Sequence, residues 1–189
     1  MRHRIAPPHP PAGLCAVVLV LLLPGPGLAQ AGGGDEALIR NALSAAPPAV
    51  AANAAVVSDG RVLREGTNGW TCMPSTAEPP NNAPMCLDAA WLAFFDSYMN
   101  RSEPAFGGIG VAYMLQGDAP VSNTDPFATA PTDDNEWLDD SGPHIMLIVQ
   151  DRRLLDSLPT DPHSGGPYVM WRGTPYAHIM IPTVPRRDH

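Results

Sequence analysis

Lysine is absent from this 189-residue chain, so arginine is its only permanently cationic side chain. Nineteen carboxylates stand against eleven arginines, for a formal net charge of −8. An acidic surface of this kind repels phosphate backbones, which argues against nucleic acid and anionic membranes as partners. Cysteine is scarce, at three residues. There is no Gly-x-Ser-x-Gly elbow, no His-Glu-x-x-His pair and no Walker loop, so the corresponding hydrolase and nucleotide-binding chemistries lose their sequence support. Long apolar runs are few, and beyond residue 31 none has the length of a membrane-spanning helix.

The apolar run that does stand out lies near the start. Arg2 and Arg4 precede Leu14 to Leu23, which Pro24-Gly25-Pro26-Gly27 breaks and Ala29-Gln30-Ala31 follows. A basic head, a short apolar core and a small-x-small site make up a secretory signal peptide, predicted as residues 1–31 with cleavage after Ala31. Cys15 has Leu14 before it rather than the small residue of a lipoprotein signal. Residues 32–189 are then expected to form one exported domain, periplasmic or secreted, with no stable membrane span after cleavage. Loss of Arg2 and Arg4 takes the net charge to −10. Richness in Ala, Pro and Gly without lysine points to a GC-rich bacterial genome.

Cys72 and Cys86 remain after cleavage, and in an oxidising compartment a lone pair of cysteines forms a disulfide. Closing a loop of this length is worth about 3 kcal/mol in the chain-entropy model. Met73 and Met85 stand beside the cysteines, so a soft-ligand set for Cu(I) is the rival account.

Asp35 and Glu36 open a helix whose apolar residues Leu38, Ile39, Ala42 and Leu43 keep helical spacing until Pro47 and Pro48. Asp59-Gly60 between two apolar runs predicts a hairpin. Asp88 caps a second helix to about Asn100, with Trp91, Leu92, Phe95, Tyr98 and Met99 expected to face the core. A strand from about Ile109 to Gln116 follows, then an irregular stretch over 118–142. Three more strands are predicted at His144 to Val149, Tyr168 to Arg172 and Tyr176 to Ile181. The expected fold is α+β: a single domain with a largely antiparallel sheet of about four to six strands and helices packed on one face.

Two of those strands carry the same phrase, His144-Ile145-Met146 and His178-Ile179-Met180. Strand alternation sets imidazole and thioether on one side and isoleucine on the other. One parity collects His144, Met146, Ile148, Tyr168, Met170, Arg172, Tyr176, His178 and Met180. The other (Ile145, Leu147, Val149, Val169, Trp171, Ile179, Ile181) is almost wholly apolar and is expected to lie under the helices. A three-residue turn would set Met170 opposite His178 and Tyr168 opposite Met180.

Several readings of the mixed face stay open. As a metal site, His144, Met146, Met170, His178 and Met180 offer imidazole and thioether donors suited to copper, Cu(I) above all. As an organic-ligand pocket, Tyr168, Tyr176 and His178 would form walls and polar tips while Arg172 clamps a carboxylate. The plainest account has methionines filling a second core while the histidines bond to backbone or tyrosine. An enzyme is the competing class, with His144 or His178 as general base. Weaker signals are His163-Ser164-Gly165-Gly166, better read as a turn than as a catalytic pair, and the acidic run Asp133 to Asp140, which lacks the glycine and closing glutamate of an EF-hand loop. Asn100-Arg101-Ser102 has the form of a glycosylation acceptor, relevant only in a eukaryotic secretory pathway.

Gly66-Thr67-Asn68-Gly69-Trp70-Thr71-Cys72, Tyr113-Met114-Leu115-Gln116-Gly117, Ser122-Asn123-Thr124-Asp125-Pro126, Gly142-Pro143-His144-Ile145-Met146 and Trp171-Arg172-Gly173-Thr174-Pro175-Tyr176-Ala177-His178 each occur once along the chain. In these motifs the chain resembles a group of uncharacterised exported bacterial proteins. The resemblance implies a compartment and carries over no activity and no catalytic residue.

Overall fold

The computed structural model describes residues 33–185. The predicted signal peptide and its cleavage site lie outside these residues. Helix α1 (Gly33–Leu43) carries Asp35 and Glu36 in its first turn, where negative charge suits a helix N-terminus. A single helical turn, α2 (Pro48–Ala51), follows the proline stop. Strands β1 (Ala55–Ser58) and β2 (Arg61–Arg64) form the expected hairpin. Asp59 (φ 50) and Gly60 (φ 74) both take the left-handed backbone that its two-residue turn requires. Gly66 then passes tight against β1, where an added Cβ would sit 2.1 Å from the Ala55 backbone nitrogen.

β3 (Thr71–Met73) and β4 (Met85–Leu87) pair antiparallel, with Cys72 directly opposite Cys86 and a disulfide joining them. The link is compatible with a periplasmic or extracellular location. Asp88 then does two jobs. One carboxylate oxygen accepts from the Trp91 backbone N–H to cap α3 (Ala89–Met99), and the other accepts from Val111 on β5 (Ile109–Met114). The segment after β5 carries a small ribbon, β6 (Val121–Ser122) with β7 (Trp137–Leu138). β8 (His144–Val149), a 3-10 turn (Arg152–Ser157), β9 (Tyr168–Met170) and β10 (His178–Pro182) complete the described chain. No helix among the described residues is long and apolar enough to cross a membrane.

The fold is mixed α and β, as expected, but the main sheet has eight strands rather than four to six. Their order is β2-β1-β3-β4-β5-β8-β10-β9, antiparallel except where β1 meets β3. β3 and β4 account for part of the excess, because three-residue strands are too short to show an alternating pattern.

The helices do not share one face, which corrects a second expectation. Ala42 of α1 packs with Val56, Cys72 and Cys86, while Trp91 and Phe94 of α3 pack with Leu87, Ala112 and Met146. Neighbours Cys86 and Leu87 point to opposite sides of the sheet, so α1 and α3 cover opposite faces. On α3, Trp91 and Phe94 are buried and Phe95 and Tyr98 pack against the same core, whereas Leu92 (39 % exposed) and Met99 (64 % exposed), also expected in the core, face outward.

The largest correction concerns parity. α3 covers the His/Met side of the C-terminal strands: His144, Met146, Ile148, Met170, His178 and Met180 are all buried. Ile145, Leu147, Val149, Ile179 and Ile181, expected under a helix, are half-exposed on the other side. Strand alternation separates two faces but does not say which one a helix covers. β5 decides it, since its α3-facing side carries the small residues Gly110 and Ala112. A Cβ at Gly110 would lie 2.6 Å from Ile148 and 3.1 Å from Ala90, so this position sets how closely α3 approaches the sheet.

Candidate functional site

Between α3 and the His/Met side lies a cavity of about 180 Å³. Five methionines line it: Met85 from β4, Met114 from β5, Met146 from β8, Met170 from β9 and Met180 from β10. Trp91, Phe94 and Tyr98 of α3 form the roof, Trp171 closes one side, and His178 and Asp118 supply the polar atoms.

The hairpin register is the one that a three-residue turn predicts. His178 pairs with Met170, and Met180 pairs with Tyr168 on one side and Met146 on the other. The twin phrases are thus neighbours, but β8 and β10 run antiparallel. The two methionines meet in the middle and the imidazoles go to opposite ends, because His144 lies beside Pro182, four residues past His178. Four residues of strand span about 13 Å. His144 and His178 therefore do not form one compact ligand pair, and His178 is the histidine that lines the cavity.

Both imidazoles are prepared in the same way. His144 Nδ1 lies 2.7 Å from the Gly142 carbonyl and His178 Nδ1 lies 3.0 Å from the Tyr176 carbonyl. A carbonyl can only accept, so Nδ1 carries a proton in each ring. Each Nε2 is buried without a hydrogen-bond partner among the described residues. The His178 ring is held edge-on by Trp91 (5.5 Å) and Trp171 (4.9 Å between centroids). Burial lowers its pKa to about 4; the Tyr176 carbonyl opposes that shift and the nearby His144 adds to it. His178 is accordingly a neutral acceptor at ordinary pH.

Asp118 reaches the cavity from the loop after β5. Burial pushes its carboxyl above the usual range, while His144 and the Ala119 backbone N–H (2.7 Å) pull the other way. Nothing in the sequence singled this residue out, since a lone aspartate in a loop has no periodicity to betray it.

Trp171, expected among the apolar residues of the opposite parity, lines the cavity as well. β9 ends at Met170 and Trp171 takes a left-handed backbone (φ 57), which breaks the alternation and turns the indole into the cavity wall. Its Nε1–H donates to the Ser122 carbonyl at 2.7 Å and its ring stacks on Tyr98 at 5.3 Å. The same break moves Arg172 away from the site. Its Nη2 donates to the carbonyls of Leu155 (2.8 Å) and Leu158 (2.6 Å), tying the 3-10 turn to the end of β9. Tyr176 donates its hydroxyl to the Ser102 carbonyl, and Tyr168 is fully buried in the sheet core; neither lines the cavity. Of the residues proposed for an organic-ligand pocket, His178 alone reaches it. Of the residues proposed for metal, Met146, Met170, His178 and Met180 line it and His144 stands off its end.

The minor motifs gather nothing further. His163 is exposed in a turn that Asp161 holds by accepting its backbone N–H. Among the described residues no three His, Cys, Asp or Glu side chains are grouped to hold a metal ion, the acidic run included. No protein-family model, curated protein or solved structure matches the chain.

Proposed function

We propose that this is an exported binding protein, periplasmic or secreted, whose ligand occupies the cavity between α3 and the β8–β10–β9 face. One observation carries the reading: an imidazole 2 % exposed, fixed in one tautomer, lines the cavity with its Nε2 buried and without a hydrogen-bond partner among the described residues. A buried polar atom left without a partner costs about 1–3 kcal/mol, and a ligand that engages it recovers that cost. The chemistry favours binding over proton transfer. A base with a pKa of about 4 is a weak proton acceptor at neutral pH, and its lone pair is better suited to coordination or to accepting a hydrogen bond. The cavity is close in size to an apolar void of about 150 Å³ that admits one benzene ring, so its guest is a single-ring molecule or an ion.

A heavy-atom phenol tests the reading, since Trp91 and Trp171 both line the cavity. Titration with 4-bromophenol is expected to quench their fluorescence saturably, and Val121→Trp, which fills the space, is expected to weaken binding. Quenching that never saturates, or equal affinity in the filled variant, overturns the assignment.

A further inference from the structure

Around this cavity the sheet sets four soft donors at adjacent lattice points. His178 and Met180 stand two residues apart on β10, Met170 lies directly across from His178, and Met146 lies directly across from Met180. Facing pairs on neighbouring strands have Cβ atoms about 5 Å apart, within reach of one another's side-chain ends. All four line the same cavity. Resting on the cavity as the binding site, we propose that its ligand is the monovalent soft cation Cu(I), held by His178 Nε2 and the thioethers of Met146, Met170 and Met180.

Three features select this ion. An imidazole that donates Nδ1–H to a backbone carbonyl and offers Nε2 has the orientation and tautomer that metal-binding histidines use. Neutral thioethers favour Cu(I), whereas zinc and calcium need the thiolate, imidazole or carboxylate groupings that the described residues do not assemble. The cysteines are already joined to each other, so the sulfur available is that of methionine. Charge is also provided for: Asp118 lines the cavity, and a carboxylate there compensates a buried cation. Methionine has three rotatable bonds, so the sulfurs can close on an ion smaller than the cavity.

The test uses protein expressed from the full coding sequence and titrated without oxygen with Cu(I) against bicinchoninate. One equivalent is expected to be taken up, and the triple variant M146L/M170L/M180L is expected to lose affinity by about 100-fold or more. Leucine conserves volume and keeps the fold, which 4-bromophenol binding by the variant verifies. Methyl NMR with Ag(I) is expected to move Met146, Met170 and Met180 and to leave the exposed Met99 in place. Failure of the wild type to take up Cu(I) while 4-bromophenol still binds overturns the copper assignment and leaves the cavity reading standing. Failure of both ligands removes both. Uptake undiminished in the triple variant, with shifts at Met99, assigns the metal to the surface and overturns the proposal.

Discussion

The two halves of the sheet are packed by opposite means. Over β1, β3 and β4 the core is made of small or rigid pieces: Ala42, Ala45, Ala46, Ala54, Val56 and the Cys72–Cys86 disulfide. Over β5, β8, β10 and β9 it is made of long thioethers and large rings, Met114, Met146, Met170, Met180, Trp91 and Phe94. Alanine lets backbones approach until little space remains. Methionine and indole hold layers apart, and their shapes leave room that side chains do not fill. The first half is a support; the second is built around a space.

The sharpest way to break the contrast is to crowd the tight half. Gly66→Ala drives a Cβ into the Ala55 backbone, where no side chain can yield. A loss of more than about 4 kcal/mol is expected, in the exceptional range for single substitutions, read as a collapse of the urea midpoint. Acid attacks the other half. The folded pKa of His178, about 4, lies below the value near 6.5 of an exposed histidine. Between those values the unfolded chain holds more protons, so stability is complete above pH 6.5 and is lost as pH falls toward 4. The contribution is about 3 kcal/mol, and a His178→Phe variant whose urea midpoint shifts just as steeply from pH 7 to pH 4.5 would assign the loss elsewhere.

Removing the staple should cost nearly as much while sparing the cavity. The double variant C72A/C86A is expected to lose about 3 kcal/mol, with faster hydrogen exchange in β1, β3 and β4 and unchanged 4-bromophenol affinity. Equal loosening of β8 and β10 would show that the halves are one cooperative unit. The smallest effect is expected from Met170→Leu, a volume-conserving exchange costing less than about 1.5 kcal/mol by thermal unfolding. A larger cost would mean that the thioether is already needed to fill space in the empty protein.

What could be read in advance followed from local rules. The Asp59-Gly60 turn, the Asp88 cap and both His-Ile-Met strands are set by neighbours in sequence, whereas the pairing of His178 with Met170 depends on the turn between their strands. What could not be read depended on packing. Both faces of β8 carry enough apolar surface to be covered, and the choice rests on Gly110 and Ala112 in another strand. Met85, Met114 and the carboxyl of Asp118 reach the cavity from three separate places, and only the assembled sheet brings them to the twin phrases. Trp171 escaped because one residue with positive φ resets the alternation, and a tryptophan gives no warning of such a backbone.

Consider finally what fixes the two imidazoles. Each Nδ1 proton is given to a main-chain oxygen two positions upstream, at Gly142 and at Tyr176. Main-chain acceptors survive the exchange of any side chain, so mutation elsewhere can resize the chamber or change its lining without rotating the nitrogen that looks into it. Variants of this scaffold therefore differ in the space around that nitrogen while inheriting the same handle.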